Sequence, residues 1–448
     1  MTTASASRLE PHLAAALAED APPAGSPAWR VDLAAAARER LLADGLPTRR
    51  DEDHLYTDVR PLGPLLARRA GPARRAGPMP ADRLHLSPFA PEAVLVNGRL
   101  DLAASRMDAW LARHGGAWLG RITSLADAPV GRALSTRGGG WAALNDARFV
   151  DGLGVRLPAG HKTAGPLVVV HTTAPDGIDR NAAAFPRLYV EAGEGAEALL
   201  VEIHLADEEG PDLVDAATEI ELAPGARLVH LRLQLQHGAS RHVATTAARL
   251  SRDSTYRLVD VTFGGATHRH EIHADLLEAG ADLDLSGLYV LRDTDHADTH
   301  VTVDHRVAHG TSRQVVKGIL DDRARGAFTG RVLVHPDAQQ TSGRQAHHAL
   351  LLSEGARVDT RPQLEIYADD VQCAHGATVG QLDEEALGYL QSRAIGRERA
   401  RALLVHAFAH EVVQAIGHEA LAQDVHRLLA ERLEGAHFED APGEGPAS

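Results

Sequence analysis

Residues 218–236 read TEIELAPGARLVHLRLQLQ, which is two short β-rich segments joined by a turn at Pro224–Gly225. Similar segments follow one another from about residue 150, among them DGLGVRLPAG, GPLVVVHTT, EALLVEIHL, YRLVDVTFGG and DLDLSGLYVL. Runs of strand-forming residues bounded by glycine are typical of β-strands separated by tight turns. No long helical pattern interrupts them for roughly 220 residues, so the sequence predicts an all-β region there.

A Gly-Ala dipeptide recurs through this region, and its spacing indicates how the strands are arranged. Its glycines are Gly195, Gly225, Gly280, Gly326 and Gly355. The intervals are 30, 55, 46 and 29 residues, and His309–Gly310 ends 30 residues after Gly280. A spacing near 30 or twice that value predicts a β-solenoid with stacked rungs. A β-sandwich is the alternative, although its hairpin signals would be denser and more regular.

Alanine-rich helical segments are expected on both sides of the β-rich region. LAAALAED and WRVDLAAAARERLLADG lie before it, separated by the breaker APPAGSP. After Gln381, Asp383 is a good helix N-cap. The next helix has its apolar face at Ala400, Leu403, Leu404, Ala407, Phe408, Val412 and Ile416. The predicted organisation is a mainly helical region 1–150 with a flexible Pro/Gly/Arg-rich loop at 67–83, a β core 151–380, a helical domain 381–434 and a disordered tail 435–448.

Composition narrows the class of protein. A chain of 448 residues can form two or three domains with a sizeable core. A formal net charge of −15 argues against nucleic acid or an anionic membrane as the main partner. No apolar run approaches the ~18 residues of a membrane span, and the N-terminus lacks the basic region of a secretory signal. One cysteine excludes an intrachain disulfide. We therefore expect a cytoplasmic protein.

Several catalytic motifs are absent from the sequence. It has no G-x-x-x-x-G-K-[ST] phosphate loop and no G-x-S-x-G nucleophile elbow. The segment HEVVQ at 410–414 has glutamine where a zinc protease needs its second histidine. We therefore expect no nucleotide bound by this chain.

The segment LEIYADDVQCAHGATVG, residues 364–380, contains the single cysteine, Cys373, and places His375 two residues later. In an extended strand these side chains point to the same side. A thiolate beside an imidazole is a plausible half-site for iron or another transition metal. The alternative is a core cysteine beside a hydrogen-bonded histidine.

A second group of histidines lies in DHADTHVTVDHRVAHG, at His296, His300, His305 and His309. Strand parity puts His305 and His309 on one face, and His296 and His300 on the other. Four histidines divided between two faces do not form one site without a bend. Structural or supporting roles are therefore favoured over metal binding.

Five segments, in this order, carry a resemblance to the SufD family of iron–sulfur cluster assembly proteins. They are DTHVTVDH, SRQVVKGIL, FTGRVLVHPDAQQTSGRQAHHALLLSEGA, PQLEIYADDVQCAHGATVGQLDEEALGYLQSRAIG and ARALLVHAFAHEV. His-Gly-Ala at 375–377 resembles SufD, whereas the paralogue SufB has His-Glu-Ala. The sequence departs from the family pattern at His54–Leu55, where a tryptophan is expected, at His347–His348 and at Ala394, where glycine is usual.

The resemblance implies a right-handed parallel β-helix core flanked by N-terminal and C-terminal helical domains. It also implies a non-enzymatic scaffold in a heterodimer with SufB, bound to two copies of the ATPase SufC. A transient iron–sulfur cluster would be shared with SufB, because one cysteine cannot supply four thiolates. Whether the chain also forms a homodimer stays open.

The resemblance also assigns roles to individual residues. His375 is the candidate cluster ligand that meets a SufB cysteine, and Cys373 is a weaker candidate. The helices of about 383–416 would dock SufC, with Tyr389, Arg393 and Phe408 as candidate contacts, and ATP-driven movement would expose the cluster-building site. Two alternatives are a metal-dependent β-helix or cupin-like enzyme using His296–His309 and a SufB-type primary scaffold, which the single cysteine disfavours.

Overall fold

The computed structural model describes residues 9–72, 86, 89–125, 129–137, 139–174, 182–206, 212–236 and 238–434. The predicted tail 435–448 and residues 73–83 of the predicted loop lie outside these ranges. Residues 67–72 of that loop are described, and Arg69 forms an isolated β-bridge with Ala183.

Short helices dominate the chain before the solenoid. They are α1 (Pro11–Glu19), α2 (Ala28–Asp44), α3 (Met107–Arg113), α4 (Arg132–Arg137) and α5 (Gly139–Arg148), with 3-10 turns at Glu52–His54, Arg60–Ala67 and Ile122–Ser124. Three short strands are interspersed with them: β1 (Ala93–Val96), β2 (Arg99–Leu100) and β3 (Trp118–Arg121).

Seventeen further strands follow in the described residues. They are β4 (Leu153–Leu157), β5 (Lys162–Thr172), β6 (Ala183–Ala184), β7 (Arg187–Ala192), β8 (Glu197–His204), β9 (Leu213–Leu222), β10 (Arg227–Gln234), β11 (Arg241–Leu250), β12 (Thr255–Thr262), β13 (Thr267–Leu276), β14 (Asp282–Leu291), β15 (His296–His305), β16 (Thr311–Leu320), β17 (Arg325–Val334), β18 (Thr341–Leu351), β19 (Arg357–Ile366) and β20 (Val371–Gln381).

Three helices complete the described chain: α6 (Glu384–Ser392), α7 (Arg397–Gln414) and α8 (Glu419–Glu434). Asp383 caps α6 as expected, because its carboxylate accepts hydrogen bonds from the backbone N–H groups of Glu385 and Ala386. None of the helices in the described ranges combines the length and apolar composition that a bilayer crossing requires.

The strands alternate between two sheets and confirm the predicted parallel β-helix, which has about seven turns. Sheet 1 runs in the order β2-β1-β5-β8-β10-β12-β14-β16-β18-β20, and sheet 2 in the order β19-β17-β15-β13-β11-β9-β7-β4-β3. All pairs are parallel except β1–β2 and β3–β4. Because a β-sandwich is antiparallel, this pairing excludes that alternative.

Most turns that lead into sheet 1 contain one residue with positive φ. Glycine fills this position at Gly195, Gly225 and Gly280, which explains three of the five Gly-Ala dipeptides. The equivalent residues in other rungs are Asp253, His309 and Gln340. Gly326 is different, because it lies inside β17.

Gly326 leaves room for a neighbouring aromatic ring. A Cβ atom there would lie 2.8 Å from the ring of Tyr289. The ring also occupies the space beside Gly318, where an added Cβ would approach it at 2.2 Å. These two glycines are therefore needed for packing, and Gly326 does not mark a turn.

The solenoid is covered by helices on both outer faces. A continuous apolar core fills much of its interior, with Leu228, Leu258 and Leu285 among its members. Helices α7 and α8 cover the outer face of sheet 1, and α1, α2 and α5 pack on the side of sheet 2. The expected helical flanks are therefore present at both ends of the chain.

The apolar face predicted for α7 is partly wrong. Leu403 is 46% exposed, whereas Val405, Ala409 and Val413 are buried against sheet 1. The helix is turned so that these residues meet the apolar outer face of β14 and β16. Leu403 is consequently left on the solvent side.

Buried ion pairs attach the N-terminal helices to sheet 2. The guanidinium of Arg187 binds Asp146 of α5 at 2.9 Å and also binds Glu219 of β9. Glu219 in turn accepts a hydrogen bond of 2.7 Å from the backbone N–H of Gly131, at the start of α4. Because all three charged side chains are fully buried, each depends on its partners for compensation.

The segment around His54 is attached in a similar way. His54 Nε2 lies 3.1 Å from Glu271 Oε1, and Arg269 binds the same oxygen at 2.9 Å. Arg269 also donates to the backbone carbonyl of Asp53 at 2.8 Å. The imidazole of His54, near which the resemblance places a tryptophan, therefore contacts a buried charged cluster on sheet 2.

Replacing the central cation of the first cluster should destabilise the protein strongly. Arg187→Met leaves Asp146 and Glu219 buried without their shared partner, so we expect a loss of about 3–5 kcal/mol in the free energy of unfolding. Denaturant titration followed by circular dichroism measures this loss. Arg227→Met, at an exposed position of β10, is the matched control and should change stability little. Equal effects of the two substitutions would contradict the role given to Arg187.

A substitution in the turn after α6 should stabilise the protein instead. Ala394 there has φ of +63°, a conformation that strains an alanine. The backbone N–H of Ile395 bonds to Leu390 and that of Ala394 to Gln391, the helix-ending pattern in which glycine is usual. Ala394→Gly should therefore raise the melting temperature, with a gain of about 1 kcal/mol. Ala407→Gly, inside α7, should instead cost about 1 kcal/mol. A loss of stability in Ala394→Gly would show that Ala394 does not strain this turn.

Candidate functional site

The last rung of the solenoid is formed by β19 and β20, and no other strand of the described residues covers it. In the described part of the chain, β20 pairs only with β18, and β19 only with β17. Each strand therefore has one free edge of backbone N–H and C=O groups. Free parallel edges of this length are a template for pairing with another chain.

Cys373 and His375 both lie on this last rung and belong to columns that face the interior. Cys373 is in register with Gly343 of β18 and, one strand further, with Ser312. His375 is in register with Gln345 and Gln314. Cys373 and His375 thus share the inner face of β20, and Cys373 is half-buried while His375 is exposed.

The thiol of Cys373 packs against the apolar end of the interior. Its neighbours there include Val332, Leu364 and Val371. Burial raises the pKa of the Cys373 thiol above its ordinary value, and a backbone hydrogen bond at Gly343 opposes this only partly. The thiol is therefore protonated at neutral pH and would lose its proton on binding a metal.

The side chains beneath His375 are held by hydrogen bonds. Gln345 Nε2 donates to Gln314 Oε1 at 2.9 Å, and both residues are buried. Gly330 of sheet 2 makes room for this pair, because a Cβ atom there would lie 2.0 Å from Gln345 Nε2. His375 therefore stands above a fixed polar layer at the mouth of the solenoid.

Large apolar side chains are exposed beside this rung. Ile366 is 39% exposed, Tyr367 63% and Val379 49%. Ile366 and Tyr367 lie at the end of β19, and Val379 lies near the end of β20. Exposed apolar residues along a free strand edge are typical of a surface that pairs with another chain.

Of the three residues predicted to contact SufC on the C-terminal helices, two are exposed and one is half-buried. Tyr389 is 58% exposed on α6, and the guanidinium of Arg393 lies 4.6 Å from its ring centre. Phe408 of α7 is half-buried under Lys317 Nζ, which lies 5.1 Å from its ring centre. Phe408 therefore packs within the chain, whereas Tyr389 and Arg393 face solvent.

Helix α7 is also joined to β16 by charged contacts. Lys317 Nζ donates to the backbone carbonyl of Phe408 at 3.0 Å and lies 2.9 Å from Glu411 Oε2. Arg313 Nη2 lies 2.7 Å from the other oxygen of Glu411. These contacts lower the pKa of Glu411, with the Lys317 hydrogen bond as the main cause.

The four histidines of 296–309 are not brought together. His296 Nε2 contacts Thr57 Oγ1 at 3.0 Å on the outer face of sheet 2, and His300 lies on that face too. His305 points inward and contacts Ser312 Oγ at 2.9 Å, and burial lowers its pKa to about 4. His309 is exposed in a turn, where its φ is +64°. No single metal site is formed by these four side chains.

A second polar group, which the sequence did not single out, lies inside the solenoid. His171, Glu202, His204 and His230 are buried together where β5, β8 and β10 run side by side. Glu202 and His204 alternate with Val201 and Ile203 in EALLVEIHL. That alternation was the available signal, but both faces of this strand are buried, so it did not show which face is interior.

The chain matches the family described as SUF system FeS cluster assembly, SufBD core domain, over residues 174–408. It is 31% identical to the iron-sulfur cluster assembly protein SufD of Escherichia coli (strain K12) over 351 residues, which cover 78% of this chain and 81% of that protein. It is 30% identical over 367 residues to the protein ABCI7, chloroplastic, of Arabidopsis thaliana, with coverage of 78% and 75%. A SufBD family protein of Synechocystis is 33% identical over 254 residues, with coverage of 55% and 56%. Together with the parallel β-solenoid, these matches establish that the chain belongs to the SufD family of iron–sulfur cluster assembly proteins.

Proposed function

We propose that this protein is a non-enzymatic scaffold subunit of the SUF complex that builds a transient iron–sulfur cluster at the open end of its solenoid. The observation that carries the proposal is the position of Cys373 and His375 on the inner face of the last, uncovered strand. A metal-binding pair at a free edge is placed where a second chain can complete the coordination.

The partner that best fits this end is a SufB-type paralogue. A second β-helix can continue both ladders by adding strands to β19 and β20 through main-chain hydrogen bonds. The exposed side chains of Ile366, Tyr367 and Val379 would then be buried. A heterodimer formed in this way would close the solenoid and cover its apolar rim.

This chain has too few candidate ligands to bind an iron–sulfur cluster without a partner. Cys373 and His375 supply at most one thiolate and one imidazole, whereas an ordinary cluster takes four cysteine ligands. His375 is exposed and is the stronger candidate, while the raised pKa of the Cys373 thiol makes its proton harder to displace. The remaining ligands would come from SufB.

The ATPase would transmit its ATP-driven movement to this chain by displacing the C-terminal helices. In this proposal two SufC-type ATPases bind the complex, and one docks on α6 and α7, where Tyr389, Arg393 and Leu403 are exposed. Helix α7 is tied by Glu411 to Lys317 of β16, and sheet 1 continues from β16 through β18 to β20. Displacement of α7 would therefore reach the strand that carries His375 through two adjacent strand pairs.

Loss of His375 should lower cluster formation without breaking the complex. With His375→Ala co-expressed with SufB-type and SufC-type partners under anaerobic conditions, we expect about 10-fold less cluster per complex, because an iron ligand is removed. The visible spectrum and the iron and sulfide content of the complex, purified by pull-down on the ATPase, measure the outcome.

His348→Ala is the matched control for this experiment. His348 lies on the neighbouring strand β18, on the opposite face, where its Nδ1 contacts Thr378 Oγ1 at 2.7 Å. It should leave the cluster yield unchanged. An unchanged yield in His375→Ala would remove His375 as a ligand, and failure to recover the ATPase with the wild-type chain would contradict the docking.

A charge at the free edge should weaken the heterodimer. Val379→Asp places a carboxylate where an apolar side chain would be buried, so the dissociation constant for the SufB-type partner should rise at least about 10-fold. Surface plasmon resonance or sedimentation measures this change.

Val31→Asp provides a matched comparison. Val31 lies on α2 and is 47% exposed, close to the 49% of Val379, but it is far from the open end in the fold. Equal affinities of Val379→Asp and Val31→Asp would exclude the proposed interface.

A further inference from the structure

A buried group of ligand-type side chains lies at one corner of the solenoid interior. It consists of His171 near the end of β5 and of Glu202 and His204 at the end of β8. In the described ranges, these form the one group of three or more His, Cys, Asp or Glu residues whose ligand atoms all lie within 4.8 Å of one another. At most 4% of any of the three residues is exposed.

The three ligand atoms converge without pairing as hydrogen bonds. Glu202 Oε1 lies 3.0 Å from His171 Nε2 and 3.2 Å from His204 Nε2. Yet all four ring nitrogens of the two histidines are buried without a hydrogen-bond partner among the residues that the structure describes. Nitrogen and oxygen ligands at about 2.0–2.2 Å from a tetrahedral ion lie roughly 3.4 Å apart, close to the distances found here.

The carboxylate is held in place by neighbours on the far side. Thr218 Oγ1 donates to Glu202 and lies 3.1 and 3.2 Å from its two oxygens. His230 Nε2 contacts Oε2 at 3.1 Å, and its Nδ1 lies 3.0 Å from the hydroxyl of Tyr256. Outer partners of this kind orient the ligands of metal sites. One oxygen of Glu202 therefore faces the two unpartnered imidazoles.

Space for a further ligand adjoins the two histidines. A cavity of about 10 Å³ is lined by His171, His204, Thr172, Thr173 and Gln236, among others. That volume holds about one water molecule. Three protein ligands with an adjoining open position are the arrangement of an accessible metal centre rather than a closed structural one.

We propose that His171, Glu202 and His204 bind one divalent first-row transition-metal ion, with a water molecule in the open position. Two imidazoles and one carboxylate suit Zn²⁺ or Fe²⁺. Six strand spacings of about 4.8 Å separate β8 from β20, so the ion would lie about 29 Å from the rung of His375. The site is thus separate from the cluster-building end and does not depend on the proposed function.

Cobalt binding to the isolated full-length chain tests this site. The metal-free protein is incubated anaerobically with Co²⁺ and desalted, and bound metal is measured by mass spectrometry together with the visible spectrum. We expect one ion per chain, visible d–d bands without a thiolate charge-transfer band, and displacement of the cobalt by Zn²⁺. Glu202→Gln and His204→Gln should weaken binding by more than the roughly 10–100-fold that loss of an outer partner causes.

Matched variants separate this site from its surroundings. His242→Gln removes another fully buried imidazole, which lies 4.7 Å from the ring of His204 but outside the ligand set, and it should keep the ion. The double variant Cys373→Ser/His375→Ala should also keep it. Thr218→Val, which leaves all three ligands in place, should weaken binding about 10–100-fold and serves if a ligand variant does not fold.

Three results would overturn the proposal. One is a wild-type chain that retains no ion after desalting. Another is full retention of the ion by Glu202→Gln and His204→Gln when both variants fold. If these two variants do not fold, full retention by folded Thr218→Val has the same meaning. The third is loss of the ion in the Cys373/His375 double variant, which would place the metal at the open end instead.

Discussion

The in-register parallel ladder is the constraint on which the rest of the structure depends. Every strand of a solenoid satisfies its backbone groups with the strands before and after it, so the rungs must share length and register. Most turns that lead into sheet 1 keep that register with one residue of positive φ, which is glycine, aspartate, histidine or glutamine. A further rung could always be added to such a ladder, because the strands at its end keep backbone groups without a hydrogen-bond partner. Within the residues that the structure describes, its last rung, β19 with β20, is therefore left with unpaired edges, and the candidate cluster ligands lie there.

The same stacking creates the polar interior. Because residues of equal position superimpose from rung to rung, one polar residue directed inward meets others in the same column. Glu202, Arg232 and Asp260 occupy such a column, and Arg232 pairs with Asp260. Histidine rings from both sheets then pack along it, including His204 against His242 at 4.7 Å. The solenoid thus combines an apolar core along one side with a buried polar column along the other.

Much of the fold could be predicted from the sequence, because short β-rich segments with glycine turns at a spacing near 30 residues leave few other architectures. The open-end pair was also identifiable, since parity alone put Cys373 and His375 on one face. The sequence could not show which face of a strand points into the solenoid where both faces are buried, as in β8. Glu202 and His204 were therefore overlooked, and His309 was assigned to a strand face although it forms a turn. The orientation of α7 likewise depended on the apolar surface of sheet 1, which the helix sequence does not encode.

The packing of α7 and α8 across sheet 1 has a consequence for biosynthesis. Val201, Leu231, Val259 and Val290 span four rungs of that outer face, and they belong to the same apolar cluster as the buried residues of α7 and α8, which lie after residue 396. A chain emerging from the ribosome completes these four rungs, which end at Leu291, before α7 begins at Arg397, so this apolar surface stays open during part of translation. The nascent protein is therefore most prone to aggregate just before α7 and α8 emerge, the stage at which a chaperone would help most.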